Sequence, residues 1–255
     1  MARRLTGRRL ESVEFLWPGT SVGDPDETAN ALRGQTIRSV RRYGKYIVFD
    51  LERAGERSLL VVHLRMTGNF LFNDLPGPWT RVVASLDGGE TLVFHDIRKF
   101  GRWQWARELP ARLAELGPEP LEIAFDDFYR RLRRRGAQAK AVLLDQEFLR
   151  GVGNIYADEA LFRAQIHPRS NTGKIGPKRA RRLYDALRAV LTEAIAAGGT
   201  TVINYVSSDG VEGYFQLQTA VYGKTGEACR TCGEPIRRTV VASRSTHFCG
   251  RCQRR

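Results

Sequence analysis

At 255 residues the chain has room for two domains of ordinary size and one smaller unit. Lys and Arg number 41 against 28 Asp and Glu, giving a formal charge of +13 and a pI near 10.1; that is the electrostatic footprint of a nucleic-acid binder, although acidic proteins and membrane surfaces also attract such a chain. The longest purely aliphatic run, Leu59 to Val62, is too short for a bilayer-spanning helix, no signal peptide is recognisable, and a soluble cytoplasmic protein is expected.

Taken in order, Ala2 to Thr6 reads as a stub of helix closed by Gly7. Leu10 to Phe15 alternates as a strand does, a turn follows around Pro18-Gly19, and a short helix is expected from Pro25 to Arg33 with Gly34 just past its end. Strands are expected over Thr36 to Arg42, Lys45 to Leu51, Ser58 to Arg65, Thr80 to Leu86, Thr91 to Asp96 and Arg102 to Ala106, punctuated by Gly55, Gly68, Gly77 and Gly88-Gly89. Residues 1–116 therefore read as an antiparallel β-sandwich domain.

Residues 117–121, Gly-Pro-Glu-Pro-Leu, form the linker, after which the apolar period switches from strand-like to helical. Helices are expected over Phe125 to Arg135, Ala139 to Leu149, Asn154 to Ala164, and from Pro177 to Gly198-Gly199. Residues 122–216 are thus a helical domain, and the whole chain is of the α+β class. The helices flanking Gly151-Val-Gly-Asn154 have the shape of a helix-turn-helix: two glycines permit a sharp turn, and Asn154 is expected to cap the following helix, leaving N–H groups that suit a phosphate. An ordinary glycine turn between packed helices is the other reading of this tetrapeptide taken alone.

All four cysteines fall in the last segment, residues 217–255, as Cys229-Arg-Thr-Cys232 and Cys249-Gly-Arg-Cys252. Each Cys-x-x-Cys turn can aim two thiolates at one ion, so the pair predicts one structural zinc held by Cys229, Cys232, Cys249 and Cys252; two disulfides are the competing reading. The β-rich run between them, with a turn near Ala242-Ser243-Arg244, is too small to fold on buried apolar area alone, which makes the metal its core. Arg237, Arg238, Arg244, Arg251, Arg254 and Arg255 give this hairpin a cationic surface.

Several motifs then combine. Leu143-Leu-Asp-Gln146, Gly151-Val-Gly-Asn-Ile-Tyr-Ala-Asp-Glu-Ala-Leu-Phe162 and Ile166-His-Pro168 precede Gly198-Gly-Thr200, Ser208-Asp-Gly210, Gly213-Tyr-Phe215, Val221-Tyr-Gly223 and the paired cysteine turns. The first domain carries Gly44-Lys-Tyr46, His63-Leu-Arg-Met-Thr-Gly68 and Asp96-Ile-Arg-Lys-Phe-Gly101. Over nearly its whole length the chain resembles the formamidopyrimidine-DNA glycosylase and endonuclease VIII family of base-excision repair enzymes. Gly117-Pro-Glu-Pro-Leu121 leans toward the formamidopyrimidine branch. The resemblance implies a helix-two-turn-helix domain and a β-hairpin zinc finger. It also implies glycosylase and abasic-site lyase activity on oxidised bases, purines such as 8-oxoguanine and formamidopyrimidines first, in duplex DNA. A monomer in a bacterial-type cytoplasm, associated with the nucleoid, is expected, with damaged double-stranded DNA as partner and no membrane.

It also implies roles. Lys45 matches the lysine that assists catalysis near the damaged sugar; on its own it would read as a solvated strand-edge charge. Met66, Arg98 and Phe100 match residues that fill the gap left by a flipped nucleotide, which physically needs an apolar wedge and a cation; without the resemblance Met66 and Phe100 would read as core. Arg135, Lys140, Asn154 and Arg244 match positions that hold backbone phosphates, Tyr222 is carried over as a DNA-binding residue, and Arg244 is also implied in the second elimination.

Three departures qualify this. The family's nucleophile is the α-amine of an N-terminal proline followed by glutamate, whereas this sequence opens Met1-Ala-Arg-Arg-Leu5 and its first proline is Pro18. A start assigned too late and a real loss of catalysis are the two explanations, and a damaged-DNA binder without chemistry is the rival function. Val211 stands where a lysine of the lesion loop is common, and a DNA-contacting histidine is replaced around Trp79-Thr-Arg81.

Overall fold

The computed structural model describes residues 1–198 and 218–255; the expected end of the last helix at Gly199, and the Ser208-Asp-Gly210, Val211 and Gly213-Tyr-Phe215 positions, lie outside the described residues. Those described divide into two units, with the break after Ala114.

In the first unit, alternation of apolar and polar residues produces β1 (Leu10–Phe15), β2 (Thr36–Tyr43), β3 (Tyr46–Arg53), β4 (Glu56–His63), β5 (Gly68–Phe72), β6 (Thr80–Leu86), β7 (Thr91–Asp96) and β8 (Arg102–Ala106). They form two four-stranded antiparallel sheets, ordered β1-β6-β7-β5 and β2-β3-β4-β8. One core joins them: Phe49, Leu51, Leu60 and Val62 from the second sheet share it with Phe70, Val82, Leu92 and Phe94 from the first. Phe70, Phe94 and Trp103 pack with ring centroids 5.3 to 5.8 Å apart, within the range where edge and tilted aromatic pairs attract. A short helix, α1 (Ala2–Leu5), buries Leu5 in the same core. Helix α2 (Pro25–Leu32) starts where the Asp24 carboxylate accepts the Glu27 N–H at 2.8 Å and Pro25 fills the first turn.

Strand β5 and a short helix, α3 (Ala111–Ala114), are additions to the elements expected from sequence. Gly-Asn-Phe-Leu-Phe opens on Gly68 and Asn69, two types depleted in strands, and holds no β-branched residue, so only its two phenylalanines favour a strand. The pairing of Gly68 to Phe72 along Asp96 to Leu92 supplies what propensity does not.

The second unit contains α4 (Phe125–Arg135), α5 (Ala139–Leu144), α6 (Asn154–Arg163) and α7 (Pro177–Ala196), followed by the hairpin β9 (Ile236–Val241) and β10 (Arg244–Cys249). Helix α4 buries Phe128 and Leu132, one turn apart, and leaves Arg130, Arg131, Arg133, Arg134 and Arg135 on its solvent side. Its apolar stripe joins Leu143, Phe148, Leu149, Leu161, Leu183 and Leu187 in a second core. Helix α5 stops five residues earlier than expected. At Asp145 the backbone turns extended (φ −69°, ψ 114°) and the carboxylate accepts the Glu147 N–H at 2.9 Å, a side-chain turn that competes with the helix. No helix among the described residues is long and apolar enough to cross a membrane.

Candidate nucleic-acid interface

In the first unit two loops carry the expected wedge. The loop between β4 and β5 presents Met66, and the loop between β7 and β8 presents Arg98 and Phe100. Met66 is 64% exposed and Phe100 46%, so neither belongs to the core. The Arg98 guanidinium donates to Met66 Sδ at 3.0 Å and lies 4.7 Å over the Phe100 ring, which gathers all three side chains into one cluster.

What holds the cluster is Asp96, 1% exposed. Its Oδ1 accepts from the Thr67 hydroxyl and from the Arg98 N–H, and its Oδ2 from the Gly101 N–H at 2.6 Å, so one carboxylate ties both loops. Two glycines make this approach possible. A Cβ on Gly68 would sit 2.3 Å from the Leu64 carbonyl oxygen, and one on Gly101 would sit 2.5 Å from the Phe94 ring. On the same surface Lys99 Nζ lies 3.9 Å over the exposed Trp17 ring, a pairing that sequence patterning does not reveal.

Lys45 occupies the two-residue turn between β2 and β3, where Tyr43 pairs with Tyr46, and it is exposed. Tyr46 pairs in turn with His63, the last residue of β4, so Lys45 lies at the end of the sheet from which the Met66 loop departs. Burial, then the positive charges of Arg65, Lys45 and Arg112, push His63 down to about 4. Its Nδ1 accepts the Arg65 N–H at 2.9 Å.

In the second unit the turn between α5 and α6 is folded by Gln146, whose amide donates to the Leu144 and Val152 carbonyls and accepts from the Gly151 N–H. Gly153, not Asn154, is the N-cap of α6; Asn154 is the first helical residue, its amide N–H donates to the Ser245 carbonyl at 3.0 Å, and its Oδ1 is buried without a hydrogen-bond partner among the described residues. Lys140 is fully buried, 2.6 Å from Asp158, and donates to that same Ser245 carbonyl at 2.8 Å. Burial pulls its ammonium below the usual lysine range, against the opposing pull of Asp158. Asp158 Oδ2 also accepts the His247 N–H at 2.9 Å. Its neighbour Glu159 accepts three consecutive backbone N–H groups, those of Ala220, Val221 and Tyr222. The half-buried Tyr222 ring stands edge-on to His247, 5.0 Å away.

Thus Lys140 and Asn154 converge on the residue that follows Arg244, while Arg244 itself is exposed beside a turn in which Ala242 and Ser243 both take positive φ. Arg135 pairs with Asp145 at 3.2 Å and Glu147 at 3.8 Å. Asp158 and Glu159 were visible in the sequence only as motif members. Their physical signature is a pair of adjacent acids on a helix whose neighbours Ala157 and Ala160 are apolar, with a lone lysine on the apolar helix α5 to match.

The four cysteine sulfurs lie within 4.8 Å of one another, and none is in a disulfide. Cys232 and Cys249 are 3.5 Å apart and Cys229 and Cys252 3.9 Å, against edges of about 3.8 Å for a sulfur tetrahedron around zinc. Burial pushes the Cys249 and Cys252 thiols up; at Cys229 the same desolvation is outweighed by the N–H groups of Thr231 and Cys232, which bring it down to about 7. One structural zinc fits this set, with all four positions taken by protein.

Comparison with known proteins gives three family matches: the formamidopyrimidine-DNA glycosylase N-terminal domain over residues 1–103, the formamidopyrimidine-DNA glycosylase H2TH domain over 116–205, and the zinc finger found in FPG and IleRS over 226–255. The formamidopyrimidine-DNA glycosylase of Solibacter usitatus is 49% identical over 255 residues, covering 98% of this chain and 94% of that protein. The crystal structure of the MutM (FPG) protein of Thermus thermophilus superposes with a TM-score of 0.88 at 44% identity, covering 99% of this chain and 95% of that one. A Lactococcus lactis FPG in complex with Fapy-dG-containing DNA gives 0.89 at 33% identity, covering 100% and 96%.

Proposed function

The chain belongs to the formamidopyrimidine-DNA glycosylase family, and from that premise we propose that it is a base-excision glycosylase and abasic-site lyase that extrudes oxidised purines, 8-oxoguanine and formamidopyrimidines, from duplex DNA. The observation that carries the reading is the exposed Met66, Arg98 and Phe100 cluster tied down by buried Asp96. An opened base stack needs apolar volume to replace the lost base and a cation that can hydrogen-bond the orphaned partner, and this cluster supplies both.

The other roles are those that the family resemblance implies. Lys45 is the proton-handling or sugar-phosphate cation at the sheet end. Arg244, on the rigid hairpin, holds a backbone phosphate and serves the second elimination. Arg135, Lys140, Asn154 and Tyr222 belong to the same DNA-binding set, with Lys140 and Asn154 acting through the Ser245 carbonyl that they share. Zinc on Cys229, Cys232, Cys249 and Cys252 supplies no reaction chemistry; it folds the hairpin that carries Arg244. The protein works as a monomer in the cytoplasm, with domains 1–116, 122–216 and 217–255 about the linker 117–121.

Borohydride trapping of the protein on a duplex containing 8-oxoguanine tests this. A covalent protein–DNA complex accompanied by strand cleavage is expected, because an amine nucleophile leaves a reducible imine. Tight binding with neither product would leave a damage-binding protein in place of a glycosylase.

A further inference from the structure

The far end of the zinc hairpin from Arg244 borders a cavity of about 520 Å3 lined by Arg179, Arg182, Arg251, Arg254 and Arg255, together with Gln165, Cys232 and Cys252. We propose that this cavity is a binding site for a compact polyphosphate anion, a diphosphate or triphosphate group, separate from the surface that holds DNA.

Charge is the first observation. Five arginines and no Asp or Glu line it, and none of the five makes an ion pair with a carboxylate side chain among the described residues. Zinc on four thiolates has a net charge of about −2, so the adjoining metal site cancels less than half of that field. The lining keeps a net positive charge for a ligand. Arginine forks match phosphate oxygens two at a time, which favours a phosphate chain over a single carboxylate.

Preorganisation is the second. Arg179 and Arg182 are three residues apart near the start of α7, a spacing that puts both on one helix face. The opposite wall is fixed through the backbone: buried Gln253 donates to the Ile166 carbonyl and accepts the Cys249 N–H, Arg254 pairs with Ile166, and Arg179 donates to the Arg254 carbonyl at 2.8 Å. The cavity lies within the volume range of small-molecule sites. Position is the third. Strands of six residues span about 20 Å, and the cysteines close one end of the hairpin while Arg244 stands at the other. A phosphate held at Arg244 therefore does not reach this cavity.

Calorimetry of the zinc-loaded full-length protein with inorganic pyrophosphate at low salt tests the assignment. One equivalent should bind. Binding should persist when an abasic-site duplex saturates the DNA surface, and weaken at least about tenfold in the double variant Arg182→Gln, Arg254→Gln, which removes two exposed side chains. Zinc content and duplex affinity are measured on the same variant, so a lost metal is distinguished from a lost anion site. No heat at about 1 mM pyrophosphate, an unchanged affinity in the double variant, or displacement of pyrophosphate by the duplex would each overturn the proposal, the last by assigning the anion to the DNA surface.

Discussion

In the first unit Met66, Arg98 and Phe100 stand exposed on two loops that one buried carboxylate ties together. In the second, Lys140 and Asn154 turn inward onto a shared carbonyl, and the polar groups of Lys140, Asp158, Glu159 and His247 are buried where the helices meet the zinc hairpin. The first arrangement leaves the side chains that would touch DNA exposed and joined to one another. The second commits its charges to the fold and leaves Arg244 to face solvent. A change in the first region should therefore alter binding at constant stability, whereas a change in the second should alter stability first.

The largest expected effect tests the second half of that contrast. Structural zinc in small finger units contributes about 10–16 kcal/mol of apparent folding free energy, so Cys249→Ser should strip the metal and collapse the hairpin together with Arg244. Metal analysis alongside a duplex titration checks it; a metal-free variant that binds DNA as tightly as the wild type would break the link between hairpin and binding. Next comes the buried ion pair. Asp158→Asn leaves the fully buried Lys140 without its carboxylate, which should cost about 3–5 kcal/mol in urea unfolding, while adding Lys140→Met to that variant, which keeps an amide oxygen for the His247 N–H, should recover most of that loss. Equal loss in single and double variants would mean that the pair contributes net stability of its own.

How much of this was legible in the sequence differs by region. The cysteine spacing pointed to the metal site directly, because four thiolates in two short turns leave few alternatives. The strands with β-branched cores, such as Thr80 to Leu86 and Thr91 to Asp96, also kept their expected bounds. Strand β5 was missed because its stability is long-range: Gly68 is there for the lack of a Cβ, and Phe70 for the core. The burial of Lys140 was not legible either, since a lysine on a helix is ordinarily solvated and its partner Asp158 lies on the next helix along the chain. Similarly, Asn154 follows a glycine turn as a capping residue would, yet the cap falls one residue earlier, on Gly153, and the Asn154 amide N–H reaches the distant Ser245 carbonyl.

The wedge sharpens the first half of the contrast. Phe100→Ala and Met66→Ala remove exposed side chains, so thermal stability should move by no more than about 0.5 kcal/mol, yet affinity for an oxidised-purine duplex should fall about tenfold with undamaged duplex little affected. Arg244→Ala, in contrast, should weaken both duplexes alike and reduce the slope of log affinity against log salt by about one, as expected for a single phosphate contact. Indistinguishable behaviour of the three variants would dissolve the distinction between flipping and phosphate side chains.

The smallest effect concerns His63, which lies at the sheet end beside Lys45. Its imidazole is pushed down to about 4, first by burial and then by Arg65, Lys45 and Arg112, from an ordinary value of about 6.5. Between those two values the unfolded chain binds a proton that the folded chain refuses, so stability falls as pH drops from about 6.5 to about 4 and levels off below. A displacement of that size corresponds to about 3 kcal/mol, which solvent screening of this half-buried ring reduces to about 1–2 kcal/mol. Urea unfolding at a series of pH values should show that drop in the wild type and a flatter profile in His63→Gln. Because burial is the larger cause, Lys45→Met should return the His63 value only part of the way, as read by proton NMR titration of the ring. A full return on removing Lys45 would make the lysine the dominant neighbour, and a wild-type value near 6.5 would mean that the ring is solvated and that the sheet end is not the closed, cationic corner described.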